Sequence, residues 1–600
     1  MSTTPVPPSL AELQAALLAR LATGGDRDLL ARACCALGDA RDEGDVCVDL
    51  AAWCSAPPGD DEAPRPPIDA ARDALLQTGV VGRGEEHETL LPLVLDQQNR
   101  LYALRHFRAE RRVARFVEER LAQPPQRTAA ALRATLCAVG LAPEPGGDAA
   151  APAEPDWQLA AVVAGASRPL TVLCGGPGTG KTTTVAKMMS ALLHDQPELR
   201  VAVAAPTGKA AARLGEALAA QASERPALAD SLRELEPQTL HRLLDYLPLD
   251  DRFRYGKERQ LPYDLVVVDE VSMADLAIFA ALCDALAPET RLVVVGDKDQ
   301  LAAVAAGQIL GDLTYAAQPE RGLGPDLAAF VRETTGKELP AQPDAAPIAD
   351  ATVSLRKNYR FGQQPGIGAF AQALVERDHT GALEAIHAGH DDLALTPELE
   401  DALREFLPQL EHLLTAATSG DAERALAAVQ HARVLTAQRM GPTGARRWNE
   451  RIEQALTARG HRLDAHYYPG RPVLITANDK GNRVWNGDLG VCGLADGEPV
   501  VWLRDPRGRT RTLNPRRLPA HETAWAMTVH KAQGSEFDHV LLALPEQPSP
   551  LNHASLIYTG VTRARRRATI CADEALLAAG LRIWPQRRSG LAETLRAGAR

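Results

Sequence analysis

Residues Leu170–Thr183 read "LTVLCGGPGTGKTT": a short apolar, β-branched run, a glycine-rich turn, and the opening of a helical pattern. Its second part, "GGPGTGKTT" from Gly175 to Thr183, fits G-x-x-x-x-G-K-[ST] in the strand-then-helix context that gives the pattern its physical meaning. Glycines let backbone amides curl around phosphates, and the helix N-terminus adds a dipole that favours anions. Gly175, Gly176, Pro177, Gly178, Thr179, Gly180, Lys181, Thr182 and Thr183 are therefore expected to cradle a nucleotide. Lys181 would neutralise the terminal phosphates and Thr182 would ligate magnesium.

The same alternation continues downstream in "RVAVAAPTG", "YDLVVVDE" and "RLVVVGD". Short β-branched runs, each followed by a polar loop and a helical stretch, predict an α/β fold with a parallel sheet and ligands at the carboxyl ends of its strands. "DLVVVDE" (Asp264–Glu270) ends a buried run in two carboxylates. A hydrophobic strand cannot bury them cheaply, so they emerge at its edge beside the phosphate loop. Asp269 is the expected magnesium partner and Glu270 the expected general base. Thus far the chain is an ATP or GTP hydrolase; phosphate loops serve switches, transporters, kinases and motors alike.

Around this engine the 600 residues divide into several expected domains. Residues 1–141 show amphipathic helical periodicity, as in "LYALRHFRAERRVARFVEERLA", and suggest an N-terminal helical domain. A linker rich in proline, glycine and alanine fills 142–156. The first α/β lobe spans 157–350, with "LPLDDRFRYGKERQLP" (residues 247–262) as a candidate hairpin pin. A second lobe covers 351–445 and 523–600. Between its parts, "RPVLITAND", "LGVCGL", "EPVVWLRD" and "RTRTLNP" read as short strands broken by turns such as Asn486-Gly487, predicting a small inserted β-barrel over 446–522.

Composition limits the partners. A net charge of -11 argues against a protein that coats nucleic acid through general basicity, though a local basic channel remains compatible with it. No apolar run approaches the ~18 residues that suggest a membrane span. The opening "MSTTPVPPSLAEL" lacks the pattern of a signal peptide, so a cytoplasmic location is expected. Nine cysteines without a CxxC pair read as buried or idle thiols.

Further stretches share their order and wording with one family. "APTGKAAARL" from Ala205, "TLHRLL" from Thr239, "VVVGDKDQLAAVAAG" from Val293, "SLRKNYRFG" from Ser354, "TVHKAQGSEFDHV" from Thr528 and "IYTGVTRARRR" from Ile557 resemble the motifs of superfamily 1 DNA helicases. The resemblance is closest to the RecD family, motor subunits of the RecBCD helicase-nuclease (exonuclease V), and covers roughly Trp157 to Ala572. It implies two RecA-like lobes, ATP and Mg2+ as fuel, and an SH3-like barrel typical of 5′ to 3′ movement. Gln158 would bond adenine, Gln300 would sense the terminal phosphate, and Arg360 and Arg563 would reach across the cleft. Thr207, Gly208, Lys209, Thr239, His241, Thr528 and His530 would hold the DNA backbone, while Glu536 would face the ribose. Phosphate contacts are sequence-blind, as a translocating motor requires.

The implied partners are 5′-ended single-stranded DNA at duplex ends and RecB-like and RecC-like subunits in a heterotrimer, without a membrane. The N-terminal domain would face the RecC-like subunit. Stand-alone RecD-like helicases carry helix-hairpin-helix repeats that this sequence does not show, and no clustered nuclease set is assignable outside the ATP site. A stand-alone helicase and a non-motor ATP switch or scaffold are the alternatives.

Overall fold

The computed structural model describes residues 9–57, 64–84, 90–142, 155–223, 235–359, 365–505 and 508–598. Two parallel sheets carry its central architecture. The first has six strands in the order Thr352–Leu355, Leu170–Gly175, Arg291–Gly296, Leu265–Val268, Val201–Ala205, Gln238–Thr239, every neighbouring pair parallel. Its inner strands are apolar almost throughout because helices cover both faces. Along Leu265–Val268, successive side chains enter opposite cores: Val266 and Val268 pack with Val172 and Val294, Leu265 and Val267 with Leu173 and Val293. The second sheet has five strands, ordered Leu393–Thr396, Ala564–Cys571, Phe537–Ala543, Ala432–Thr436, Ala526–Thr528, also all parallel.

Three expected boundaries move. The strand Thr352–Leu355 pairs with Leu170–Gly175, so the first lobe runs past 350 and takes the edge strand assigned to the second. The helix Ala445–Ala458 packs on the strand Ala526–Thr528. It is therefore second-lobe structure, and the inserted strands begin at Pro472 rather than 446. At the far end, the helix Leu591–Ala597 leaves the second lobe. It packs against Leu104–Leu121 of the N-terminal region and Ile309–Ala317 of the first lobe.

The insertion is a five-stranded antiparallel sheet, ordered Thr510–Leu513, Glu498–Arg504, Leu489–Ala495, Pro472–Ile475, His521–Thr523. Within the expected pin, Tyr246–Leu247 pairs antiparallel with Arg252–Phe253, a hairpin beginning one residue earlier and closing well before 262. The N-terminal region is not helical alone. Its helices accompany a four-stranded sheet in the order Cys47–Asp49, Arg100–Ala103, Leu93–Leu95, Val81–Arg83. These strands are too short for alternation to register against the helical periodicity around them. Most of the expected linker, residues 143–154, lies outside the described residues. No helix among the described residues is long and apolar enough to cross a membrane.

Candidate active site and nucleic-acid interface

The glycine-rich turn leaves the strand Leu170–Gly175 and enters the helix Lys181–Asp195. Gly178 and Gly180 adopt φ of 80° and 83°, the left-handed region that a side chain resists. Gly180 has a second reason to be glycine: a Cβ there would stand 2.4 Å from Gln158 Nε2. Gln158 donates to Thr179 O at 3.2 Å and accepts from Lys187 Nζ at 2.9 Å; the expected adenine ligand thus braces the loop. Lys181 Nζ donates to Gly175 O at 2.7 Å and Gly176 O at 3.0 Å, neutral acceptors that an anion would readily outbid. Thr182 and Thr183 lie in the first turn of the same helix.

Asp269 and Glu270 follow the strand Leu265–Val268, which the sheet order sets two places from the phosphate-loop strand. Asp269 Oδ1 accepts from Glu270 N at 2.8 Å. Burial pushes the Asp269 carboxyl up to about 6, the neighbouring Glu270 adds to the rise, and Lys181 opposes it. Glu270 takes φ of 53°, an uncommon backbone state for a side chain of this size and one that clusters at functional sites. Gln300 is buried, its Nε2 donating to Asp297 Oδ2 at 2.9 Å. Nothing in the spacing of "GDKDQ" singled out Asp297. Its role is legible only once the buried carboxyl is seen among Gln300, Lys181 and the second lobe.

The second lobe closes the cleft. Arg563 is buried, its Nε donating to Thr559 O at 3.2 Å, with Glu270 and Glu536 as its main attractive charges. Arg360 lies outside the described residues, but Asn358 Nδ2 donates to Pro177 O at 2.6 Å and Tyr359 N to Gly178 O at 2.9 Å. Its chain neighbours therefore dock on the phosphate loop. Glu536 is held between two arginines, Arg213 of the first lobe and Arg565 of the second, the latter at 3.3 Å. Arg565 lies in "TRARRR" and Arg213 in "GKAAARL", and the local sequence marks neither for this pairing.

The expected DNA contacts share a local design. Thr207 precedes the helix Gly208–Ser223, Thr239 the helix Leu240–Leu243, and Thr528 the helix Val529–Ala532. Each hydroxyl accepts from a helix amide, Ala210 N at 3.2 Å, Arg242 N at 3.2 Å and Lys531 N at 3.3 Å, and keeps its own proton to donate. All three lie at or just beyond the carboxyl ends of strands toward one side of their sheets; Gln238–Thr239 and Ala526–Thr528 are edge strands. Gly534, at φ 69°, brings the second lobe to 3.4 Å of Ala210 as measured from a would-be Cβ.

The basic residues divide. His241 is exposed and stands edge-on to Tyr246 of the hairpin at 5.6 Å, with Phe253 at 6.0 Å. Lys209 is different: its Nζ is buried without a hydrogen-bond partner among the described residues. Burial and Arg433 depress it to about 8 against the attraction of Asp488 in the insertion. Gly208 packs against Trp485 of the insertion, 3.6 Å from a would-be Cβ. His530 is largely buried beside Arg587 and His553; burial and the Arg587 charge lower its pKa. Lys531 Nζ bonds Glu522 at 2.5 Å and Gln533 Nε2 bonds Leu301 O at 2.9 Å, so these two hold the loop.

Residues 158–306 match the family model described as an AAA domain, and residues 523–571 match that of the UvrD-like helicase C-terminal domain. With a phosphate loop on one parallel sheet and a buried arginine facing it from another, fold and site define a two-lobed P-loop ATPase of the superfamily 1 helicase class. The chain is 39% identical over 450 residues to RecBCD enzyme subunit RecD of Mycolicibacterium smegmatis, covering 73% of this chain and 74% of that one. It is 36% identical to the subunit of the same name from Haemophilus influenzae, covering 73% and 72%. It belongs to the RecD family of RecBCD enzyme subunits. The ATP-dependent RecD2 DNA helicase of Deinococcus radiodurans is 33% identical, over 66% of this chain and 46% of its own length.

Proposed function

We propose that this chain is an ATP-driven motor that translocates 5′ to 3′ on single-stranded DNA and unwinds duplex ends as a subunit of a RecBCD-type helicase-nuclease. The observation that carries this reading is the pairing of two sets of groups across two sheets. Lys181, Asp269 and Glu270 face Arg563 over one cleft, while the capping threonines Thr207, Thr239 and Thr528 stand toward one side of the two sheets. Fuel site and track thus share both lobes, and a change in one displaces the other.

The glycine cradle, the Thr182 hydroxyl and the Asp269 carboxyl suit a nucleotide with its Mg2+, since hard oxygen donors are what this ion prefers. When bound, the ion, held by Thr182 and Asp269, would supply positive charge that offsets that of the phosphates. Lys181 exchanges its carbonyl partners for phosphate oxygens. Glu270 accepts a proton from the attacking water, and Arg563 stabilises charge that develops on the transferred group. Closing the cleft then orders the arginine side, and loss of the terminal phosphate releases it. Gln300 senses that phosphate, Gln158 and Glu536 contribute to nucleotide binding, and Arg360 acts with Arg563.

For the partners, the first helix offers a surface. Leu10, Leu13, Leu17 and Leu21 are 54–61% exposed on Leu10–Leu21, a spacing of three and four that forms one stripe. An apolar stripe of this kind fits a RecC-like subunit against the N-terminal domain, and the five-stranded insertion fits the SH3-like domain of 5′ to 3′ motors. Replacing Lys181 by Gln should abolish ATP hydrolysis with the circular dichroism spectrum intact; wild-type turnover would remove the assignment. On forked duplexes with one single-stranded tail, unwinding is expected from the 5′ tail, and unwinding from the 3′ tail alone would reverse the polarity.

A further inference from the structure

Three elements meet at one phenol on the floor of the cleft. Tyr558, on the second-lobe helix Ala554–Val561, is buried, and its hydroxyl donates to Asp297 Oδ2 at 3.0 Å. The same oxygen accepts from Gln300 Nε2 at 2.9 Å, and Asp297 Oδ1 accepts from Asp299 N at 3.1 Å. On its other side, the phenol oxygen lies 3.0 Å from where a Cβ on Gly176 would stand, so the phosphate loop approaches this closely because residue 176 has no side chain. Two more bonds cross nearby: Leu301 N donates to Thr559 Oγ1 at 2.9 Å, and Gln533 Nε2 to Leu301 O at 2.9 Å. The first-lobe segment 297–301 is therefore bonded at both ends by the second lobe.

The hydroxyl is what needs explaining. The ring of Tyr558 sits in the apolar core of the second lobe, where phenylalanine would pack as well and leave no polar atom to satisfy. A buried carboxylate, in turn, is costly unless donors surround it, and Asp297 has them from both lobes. Tyr558 and Arg563 are also separated by less than two helical turns of chain, so motion that carries the arginine toward the phosphates carries the phenol with it.

We propose that Tyr558 is a positioning residue: by holding Asp297, its hydroxyl orients the amide of Gln300, so that the phosphate sensor of the first lobe is aligned only when the second lobe is seated. This inference rests on the motor reading above, with Gln300 as the sensor. The test is Tyr558→Phe in the full chain. The expected result is a fall of at least about tenfold in kcat for hydrolysis stimulated by single-stranded DNA, with KM for ATP within about twofold. A second readout does not depend on turnover: the ratio of single-stranded DNA Kd values between the ADP state and a non-hydrolysable ATP analogue state should shrink toward one. Asp297→Asn should reproduce the loss, and the double variant should add nothing to the larger single effect, because both act through one bond.

Unchanged kcat and an unchanged Kd ratio in Tyr558→Phe overturn the proposal, as do additive losses or a preserved ratio accompanying a general drop in Tm. If Lys181→Gln loses turnover while Tyr558→Phe behaves as wild type, this inference alone falls. Turnover retained by Lys181→Gln removes the parent reading and this one with it.

Discussion

Arg213 shows how much of the site depends on side-chain geometry. It lies within two turns of the start of the helix that Thr207 caps, and it reaches Glu536 of the second lobe while Glu270 and Asp269 act on it as further attractive charges. A guanidinium is always charged and suits a site lined by carboxylates. It therefore connects the helix start proposed to hold DNA to the acids proposed to act at the nucleotide. Arg213→Gln should retain nucleotide binding but lose about tenfold of the DNA stimulation of ATPase, roughly 1.4 kcal/mol of coupling. Steady-state hydrolysis with and without an oligonucleotide would check it, and full stimulation would reduce the pair to a structural contact.

Lys181, Asp269 and Glu270 were legible from the sequence because motif and context restrict them together. Arg213 was not, because "AAARL" reads as any amphipathic helix. Lys209 illustrates the opposite case, a residue legible by resemblance whose ammonium turns out to be buried against the insertion.

At the level of elements, the hairpin offers a sharp test. Tyr246 and Phe253 stand opposite each other across its strands, their rings 5.4 Å apart, and His241 packs beside them. The aromatic group anchors the hairpin to the segment beginning at Thr239. Between the strands Leu249 is fully exposed, an apolar side chain with no folding role. If the hairpin divides the strands at a fork, Leu249→Asp should slow unwinding several-fold while ATPase on single-stranded DNA stays at the wild-type rate. Equal unwinding would show the hairpin to be only a surface loop.

The parallel strands could be anticipated because burial on both faces leaves continuous apolar runs. The N-terminal strands "CVD", "VGR", "LVL" and "RLYA" could not, since three or four residues hold too little periodicity. Thr352–Leu355 was assigned to the wrong lobe for a different reason: its sequence identifies a strand, whereas its partner depends on long-range register.

Across the whole molecule, the final segment joins parts distant in sequence. Arg588 N donates to Asp45 Oδ1 at 2.8 Å, Ser589 Oγ to Asp312 Oδ2 at 2.9 Å, and Gly590 N to Glu110 Oε1 at 3.0 Å. Glu110 is buried, and burial pushes it up to about 7 from an ordinary 4.5, while burial and Glu110 raise Asp312. A carboxyl with a raised folded-state pKa binds its proton more tightly when folded. Its contribution is thus fully present below the unfolded value near 4.5 and is lost as pH rises through about 7. Glu110→Gln imitates the protonated acid. The variant should gain stability relative to wild type between pH 5 and 8, by about 1–3 kcal/mol at the upper end. Melting curves across that range would reveal it, and a difference independent of pH would contradict it.

The same returning segment has a mechanical meaning. The second lobe is attached to the first by chain leaving Leu355, and it is attached again where Arg587 bonds Ala305 O at 2.8 Å and Gly307 O at 2.9 Å. The returning segment thus works as a clasp, fastening chain that follows the second lobe to the first lobe and, through Asp45 and Glu110, to the N-terminal region.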